Sequence, residues 1–195
     1  MTNKQSTVII VALESEFSSK ALSSSSSSKL PIIYSGMGKI NAALAVFQAF
    51  QQYQPELIIN YGTAGKINPK LSGLVEIKKT IQRDMITDSM APRGIVPFSK
   101  NPNEFYSKSG QYTCGTGDSF VESKDDWLID NQVDLVDMEL FSIAAVAYSF
   151  GIEWTSFKFI SDDANNDNSV KQWQNEENLG EQLFLDKLKE LELIA

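Results

Sequence analysis

Apolar residues in this chain recur in two rhythms. Short β-branched runs stand at 7–13 (TVIIVAL), 30–35 (LPIIYS), 56–61 (ELIINY), 74–82 (LVEIKKTIQ), 112–116 (YTCGT), 135–138 (LVDM) and 154–161 (WTSFKFIS). Each has strand length and the side chains that suit a pleated, half-buried surface. Between them the spacing changes to three and four. INAALAVFQAFQQY (40–53) is one such stretch, and ELFSIAAVAYSFG (139–151) is another, with Leu140, Ile143, Ala144, Ala147 and Phe150 recurring at helical spacing and Gly151 as its C-cap. EENLGEQLFLDKLKELEL (176–193) reads as a final amphipathic helix. Strands alternating with helices predict an α/β fold: one domain over residues 1–195, with a central mixed, largely parallel, twisted β-sheet flanked by helices. The Ser-rich run 23–28 predicts a flexible surface loop and leaves room for only a short first helix. The segment 90–105 carries three prolines and predicts an irregular excursion.

Charge and composition narrow the chemistry. A net charge of −8 and a pI near 4.6 argue against a nucleic-acid or anionic-membrane surface, both of which require clustered Lys and Arg. Cys114 is the only cysteine, so neither an intrachain disulfide nor a Cys-based zinc cluster is available. Histidine is absent, which removes Ser-His-Asp and Cys-His nucleophile systems and the usual neutral-pH acid and base. Proton transfer then falls to Asp, Glu, Lys, Tyr or water, and no metal or cofactor is expected. The apolar run 8–13 is too short for a signal-peptide core or a membrane span, and the expected location is cytoplasmic.

Polar residues gather where the apolar runs stop. Glu14 and Glu16 follow the first, SGMGK (35–39) the second, GTAGK (62–66) the third and GTGDSF (115–120) begins within another. Met138-Glu139 marks a strand giving way to a helix, and Ser161-Asp162 ends the last run. In open α/β sheets ligands bind beyond the carboxyl ends of the strands, so six such features on one rim point to a small-molecule site. Each also has a plainer reading. Gly36 and Gly38 suit a phosphate loop or a tight βα turn, and GMGKIN lacks the third glycine of a dinucleotide loop. Gly62 and Gly65 read in the same way. Glu139 either complements a helix dipole or, flanked by Met138, Leu140 and Phe141, is a buried carboxylate needing donors such as a sugar diol. Asp162 is a turn acid or a catalytic one, Phe120 a core residue or a stacking platform, and Trp173 a surface anchor or a pocket lid.

The segments VALESEF, SGMGKINAALA, NYGTAGKINPKL, GTGDSF, VDMELFSIAAVA and FISDDA together resemble the nucleoside phosphorylase superfamily, and within it the 5′-methylthioadenosine/S-adenosylhomocysteine nucleosidases. The resemblance runs from about Val8 to Asp163 and implies a set of roles. Asp162 would protonate the leaving purine at N7, with Ser161 orienting it. Glu139 would bind the ribose 2′ and 3′ hydroxyls above Met138. Glu16 would position and activate the attacking water, with Thr63 nearby. Phe120 would stack on the base, and the Val121 backbone would bond its edge. Such enzymes are usually homodimers acting on small purine nucleosides. The sequence departs from the family at Lys66 and Asp163, where smaller residues are usual.

The implied chemistry is physically coherent. A departing purine anion is a poor leaving group, and an acid that holds its proton near neutrality must lie above the ordinary Asp value of about 3.9. Asn60 and Tyr61 stand where phosphorylases of the superfamily tend to place an arginine for phosphate, so hydrolysis is expected. Phosphorolysis and a catalytically silent nucleoside-binding protein are the alternatives.

Overall fold

The computed structural model describes residues 6–25, 30–121, 125–163 and 169–194, with the side chains of 24–25, 162–163 and 169–178 excepted. Eight strands and five helices follow one another as β1 (Thr7–Val11), α1 (Ser19–Ser25), β2 (Ile32–Tyr34), α2 (Lys39–Tyr53), β3 (Leu57–Lys66), β4 (Leu74–Gln82), β5 (Glu104–Tyr106), β6 (Tyr112–Thr116), α3 (Asp126–Asp130), β7 (Leu135–Asp137), α4 (Leu140–Ser149), β8 (Glu153–Asp163) and α5 (Ser169–Glu190). The predicted runs are all present. Among the described residues, β5 and α3 are additions that the apolar pattern did not reveal, because EFY and DWLID are too polar and too short to form an apolar run. Ser23–Ser25 complete α1 rather than starting a loop, and residues 26–28 of the Ser run lie outside the described residues.

The sheet is mixed, as expected, but it does not stay open. Its order is β2-β1-β3-β7-β6-β4-β5, with β8 pairing both β3 and β4. Strands β3, β7, β6, β4 and β8 therefore close into a barrel, and β1 with β2 forms a parallel extension of β3. Strands β1, β2, β3 and β8 run one way and β4, β6 and β7 the other. The idea of six strand ends on one open rim is corrected accordingly: the features converge although their strands point in opposite directions.

Strand β3 explains how. Along one edge its residues Leu57–Tyr61 pair with β1, and Gly65 and Lys66 pair with β7. Residues 62–64 lie between these two partners, and the opposite edge is occupied throughout by β8, with a bulge at Ala64/Gly65. GTAGK is thus the second half of a long strand and not the tight turn expected after residue 61. The hydrophobic layers follow the alternation of side chains. α2 and α4 pack on one face, where Leu140 and Ala144 of α4 join Val8, Ile10 and Ile58 of the strands in one apolar cluster. α1 and α5 cover the other, where Phe184 of α5 joins Ile9, Val11, Phe17, Ile59 and Tyr61 in a second cluster.

Helix α5 reaches the sheet through a glycine. Tyr61 stacks on Phe184 with ring centroids 4.2 Å apart, and a Cβ added at Gly180 would stand 2.4 Å from the Tyr61 hydroxyl oxygen and 2.8 Å from Phe159. Gly180→Ala is expected to lower stability by about 1–2 kcal/mol, overpacking costing more than the helix propensity that alanine gains. A lower urea midpoint checks this; an unchanged or higher one contradicts the tight docking of α5.

Candidate active site

The gap on β3 is lined by polar chemistry that the backbone itself requires. A backbone N–H inside a fold must find an acceptor, and at Thr63 that acceptor is a side chain. Its N–H donates to Glu16 Oε1 at 2.9 Å and its hydroxyl donates to the same oxygen at 2.7 Å. Leu13 N–H donates to Glu16 Oε2 at 3.2 Å. Glu16, only 4% exposed, is held by three donors where β1 ends. An ionised carboxylate accepts about four, which leaves capacity for one more, such as a water. Glu14, its neighbour in the sequence, is exposed.

Across the gap, β7 hands over to α4 at Glu139. Gly38, which opens α2 at φ 93°, a conformation natural only to glycine, donates its N–H to Glu139 Oε1 at 2.9 Å. The glycine turn therefore presents its backbone donor to a carboxylate of the protein. Burial, reinforced by the Asp137 charge and opposed by Lys158, pushes the Glu139 carboxyl up to about 7.

Asp137 and Lys158 form a salt bridge of 2.7 Å, their side chains 0% and 1% exposed. Asp137 also accepts from the Thr116 hydroxyl at 2.6 Å and the Leu140 N–H at 2.9 Å. Burial alone would raise its carboxyl, but Lys158 and these donors outweigh burial and hold it below the usual range. Burial would lower Lys158, and Asp137 with Glu139 outweighs that and raises it. The sequence reading passed over this pair. A lysine inside FKFIS, at the centre of an apolar strand, was the available signal, since a buried ammonium demands a buried anion.

The β6 loop forms the third wall. Arg83, buried at the end of β4, donates to the Gly117 carbonyl at 2.9 Å, the Ser119 hydroxyl at 3.2 Å and the Ser119 carbonyl. Lys39 ties the same loop to α2: its Nζ meets Asp84 at 2.6 Å and its N–H meets Asp118 at 2.8 Å. Phe120, carried by this loop, stays 47% exposed, which a core residue would not be.

These walls bound a solvent-open cleft, concave and mostly apolar with a few convergent polar groups, as small-molecule sites are. Glu16, Thr63, Phe120, Val121, Met138, Glu139 and Ser161 line it, joined by Ala12, Leu13, Met37, Ala64, Arg83, Ser119, Val136 and Asp137. Seven of the eight residues expected at the site are thus brought together. The eighth, Asp162, is the penultimate residue of β8, its backbone paired to Gly65; its side chain, like those of Asp163 and Trp173, lies outside the described residues. Asn60 and Tyr61 take no part. Asn60 bonds Ile10 O and Ser156 under the sheet, and Tyr61 belongs to the aromatic core.

Known proteins fit this picture. A family model described as the phosphorylase superfamily matches residues 26–113 and 107–191. The 5′-methylthioadenosine/S-adenosylhomocysteine nucleosidase of Buchnera aphidicola subsp. Acyrthosiphon pisum (strain APS) is 30% identical over 161 residues, covering 71% of this chain and 69% of that protein. The enzyme of the same name from Listeria innocua is 31% identical over 160 residues, covering 69% of each. Among solved structures, a Helicobacter pylori MTAN mutant with 5′-methylthioadenosine in its active site superposes with a TM-score of 0.83 at 18% identity, over 95% of this chain and 99% of that one. The futalosine hydrolase of Helicobacter pylori superposes at 0.81 with 19% identity, over 94% and 96%. These two likenesses are of fold.

Glu139 carries a stability prediction. Its folded value of about 7 stands above the ordinary 4.5, so its favourable contribution is complete below pH 4.5 and is lost as pH rises through 7. Glu139→Gln, which removes the buried charge and keeps an acceptor for Gly38, is expected to raise stability by ~2–3 kcal/mol at pH 8 and by less than about 0.5 at pH 4. Urea unfolding at both pH values checks it, and a difference independent of pH contradicts the buried-charge account.

Proposed function

The chain belongs to the phosphorylase superfamily, and we propose that it hydrolyses the N-ribosidic bond of an adenosine-type purine nucleoside, modified at the 5′ position, to free base and sugar. Its kinship with the 5′-methylthioadenosine/S-adenosylhomocysteine nucleosidases makes it an N-glycosyl hydrolase. The observation that carries the finer reading is the single cleft in which Glu16, Thr63, Phe120, Val121, Met138, Glu139 and Ser161 converge.

In this reading Phe120 stacks on the purine and the Val121 backbone bonds its edge, while Met138 lies beneath the sugar. Ionised Glu139 accepts the 2′ and 3′ hydroxyls, which anchors the ribose while the glycosidic carbon becomes cationic. Asp162, oriented by Ser161, gives its proton to N7 as the C1′–N9 bond breaks and the bonding pair leaves with the base. Water held on the remaining acceptor capacity of Glu16 adds to C1′ and passes its proton to that carboxylate. Thr63, bonded twice to Glu16, keeps it aimed.

Water is favoured over phosphate by the charge at the cleft. Glu16 and Glu139 face it, and the Arg83 guanidinium is already engaged by carbonyl and hydroxyl oxygens of the 117–119 loop. A phosphate dianion would meet carboxylates there, and the two terminal NH groups of Arg83 already hold loop oxygens.

The same reading includes a homodimer. α2 turns its small residues Ala42, Ala45, Val46 and Ala49 to the core and leaves large ones outward: Ile40 is 75% exposed, Leu44 61% and Phe47 49%. Met37, 41% exposed, continues this stripe to the cleft it also lines. An apolar stripe this large on the outer face suits a second copy of the chain.

Two experiments test these claims. A nucleoside panel assayed by chromatography with and without phosphate is expected to release free base at the same rate in both. Asp162→Asn should lower turnover at least about a hundredfold, and Glu139→Ala should impair both KM and kcat. Cleavage that requires phosphate and yields ribose 1-phosphate would replace hydrolysis with phosphorolysis, and tight binding without cleavage would replace it with a binding protein. Leu44→Glu is expected to convert a dimer to a monomer in sedimentation; a wild-type monomer removes the dimer.

A further inference from the structure

Three carboxylates, those of Glu16, Asp137 and Glu139, surround one fully buried ammonium. Lys158 does not line the cleft. It rises beneath β3, where a Cβ added at Gly62 would lie 3.5 Å from Lys158 Nζ and 3.5 Å from Glu16 Oε1. Its salt bridge is with Asp137, whose Oδ1 takes the Thr116 hydroxyl and whose Oδ2 takes the Leu140 N–H as well. The anchored turn therefore contains Glu139 between two fixed points, Asp137 and Leu140. One ammonium cannot balance three buried anions, and Asp137 holds it at 2.7 Å. Near neutral pH the arrangement favours a retained proton, and Glu139 is where it belongs, because among the described residues it accepts one donor, the Gly38 N–H, where Glu16 and Asp137 each hold three.

We propose that Asp137 and Lys158 are positioning residues that act on Glu139 in opposite senses, Asp137 holding a proton on it and Lys158 drawing that proton off, so that nucleoside binding is coupled to release of one proton. This rests on the reading of Glu139 as the ribose-binding carboxylate. A protonated carboxyl offers one hydroxyl donor and a weakened acceptor, whereas two sugar hydroxyls need the ionised form. The bound sugar supplies donors that burial denied to the free carboxylate, and the proton leaves to solvent.

The groups facing this cluster come from every element packed on it. Glu139 meets Asp137 on β7, Lys158 on β8, Glu16 after β1 and the Gly38 N–H at the start of α2. The Asp137–Lys158 pair also meets the buried Cys114 thiol on β6, and Arg83 lies in the field of Asp137. Burial, followed by the Asp137 charge, raises the Cys114 thiol, which keeps it neutral. The cation opposing Asp137 within hydrogen-bond reach is Lys158 alone among the described residues.

The test compares wild type with Asp137→Asn, Lys158→Met and Lys158→Arg. The Glu139 side-chain carboxyl is titrated in the free protein by carbon-detected NMR, with Glu139→Gln assigning the resonance. Asp137→Asn is expected to lower its midpoint by a pH unit or more, Lys158→Met to raise it, and Lys158→Arg to leave it near wild type. In assays with a cleaved nucleoside, wild-type KM should rise about tenfold per pH unit below the midpoint, with the variants displacing that limb in the same opposite directions. Calorimetry in buffers of different ionisation enthalpy should report close to one proton released well below the midpoint and almost none above it. Equal midpoints in Asp137→Asn and wild type overturn the inference, as does binding without proton release. If Lys158→Met does not fold, Asp137→Asn and Lys158→Arg decide the matter. Should the protein bind and cleave no nucleoside, the functional reading fails while the NMR midpoints still judge the antagonism of the pair.

Discussion

The buried pair of Asp137 and Lys158 is the constraint on which the site depends. Asp137 stands on β7 and Lys158 on β8, and the carboxylate also takes Thr116 from β6 and the first free N–H of α4. Thr116 in turn accepts the Phe141 N–H and lies 3.3 Å from the Thr80 hydroxyl of β4. One carboxylate thus registers three strands and a helix, and the hydroxyl beside it adds a fourth strand. Such a pair recovers its desolvation only with good geometry, and removing one member typically costs about 3–5 kcal/mol because the other is stranded. Its value here is specificity of arrangement: a barrel closed by strands of opposite direction needs something to fix where they meet.

The meeting place is set by β3. Because β1 stops pairing at Tyr61 and β7 starts at Gly65, a short length of strand between them has its N–H groups to place. Glu16 accepts the Thr63 N–H, so the backbone's own hydrogen-bond demand draws a carboxylate into the cleft. Glu139 arrives from the other side with the Gly38 N–H upon it. Two acids that repel each other are held in one cleft by donors that have no better partner. This is a common origin for active-site electrostatics, in which unsatisfied scaffold groups orient the reactive ones.

The cleft's remaining wall is more loosely built. Arg83 and the Lys39, Asp84 and Asp118 cluster fix the base of the 117–119 loop, while Phe120 and Met37 stay largely open. The large apolar side chains of α2 continue outward from this edge, so the cleft and the exposed stripe are parts of one surface.

Much of this was legible in the sequence. The apolar rhythms marked every long strand and helix because burial on one or both faces leaves a period that composition cannot hide. The identity of the cleft-lining residues was legible through segments such as VDMELF and GTGDSF, where acids and glycines interrupt apolar runs. The absence of histidine left Asp, Glu, Lys, Tyr or water for any proton transfer. Other features were decided only in three dimensions. Barrel closure, the continuation of GTAGK as a strand, and the short β5 depend on pairings between residues far apart in the chain, and no local period records them. The resemblance already pointed to Glu16 over Glu14, but what buries it, the Thr63 N–H and hydroxyl that it accepts, belongs to the fold, and the choice of Lys158 as the counter-charge of Asp137 came from two strands meeting across β3. Residue types are written in the sequence; which charge faces which is a distance, and only the folded chain sets distances.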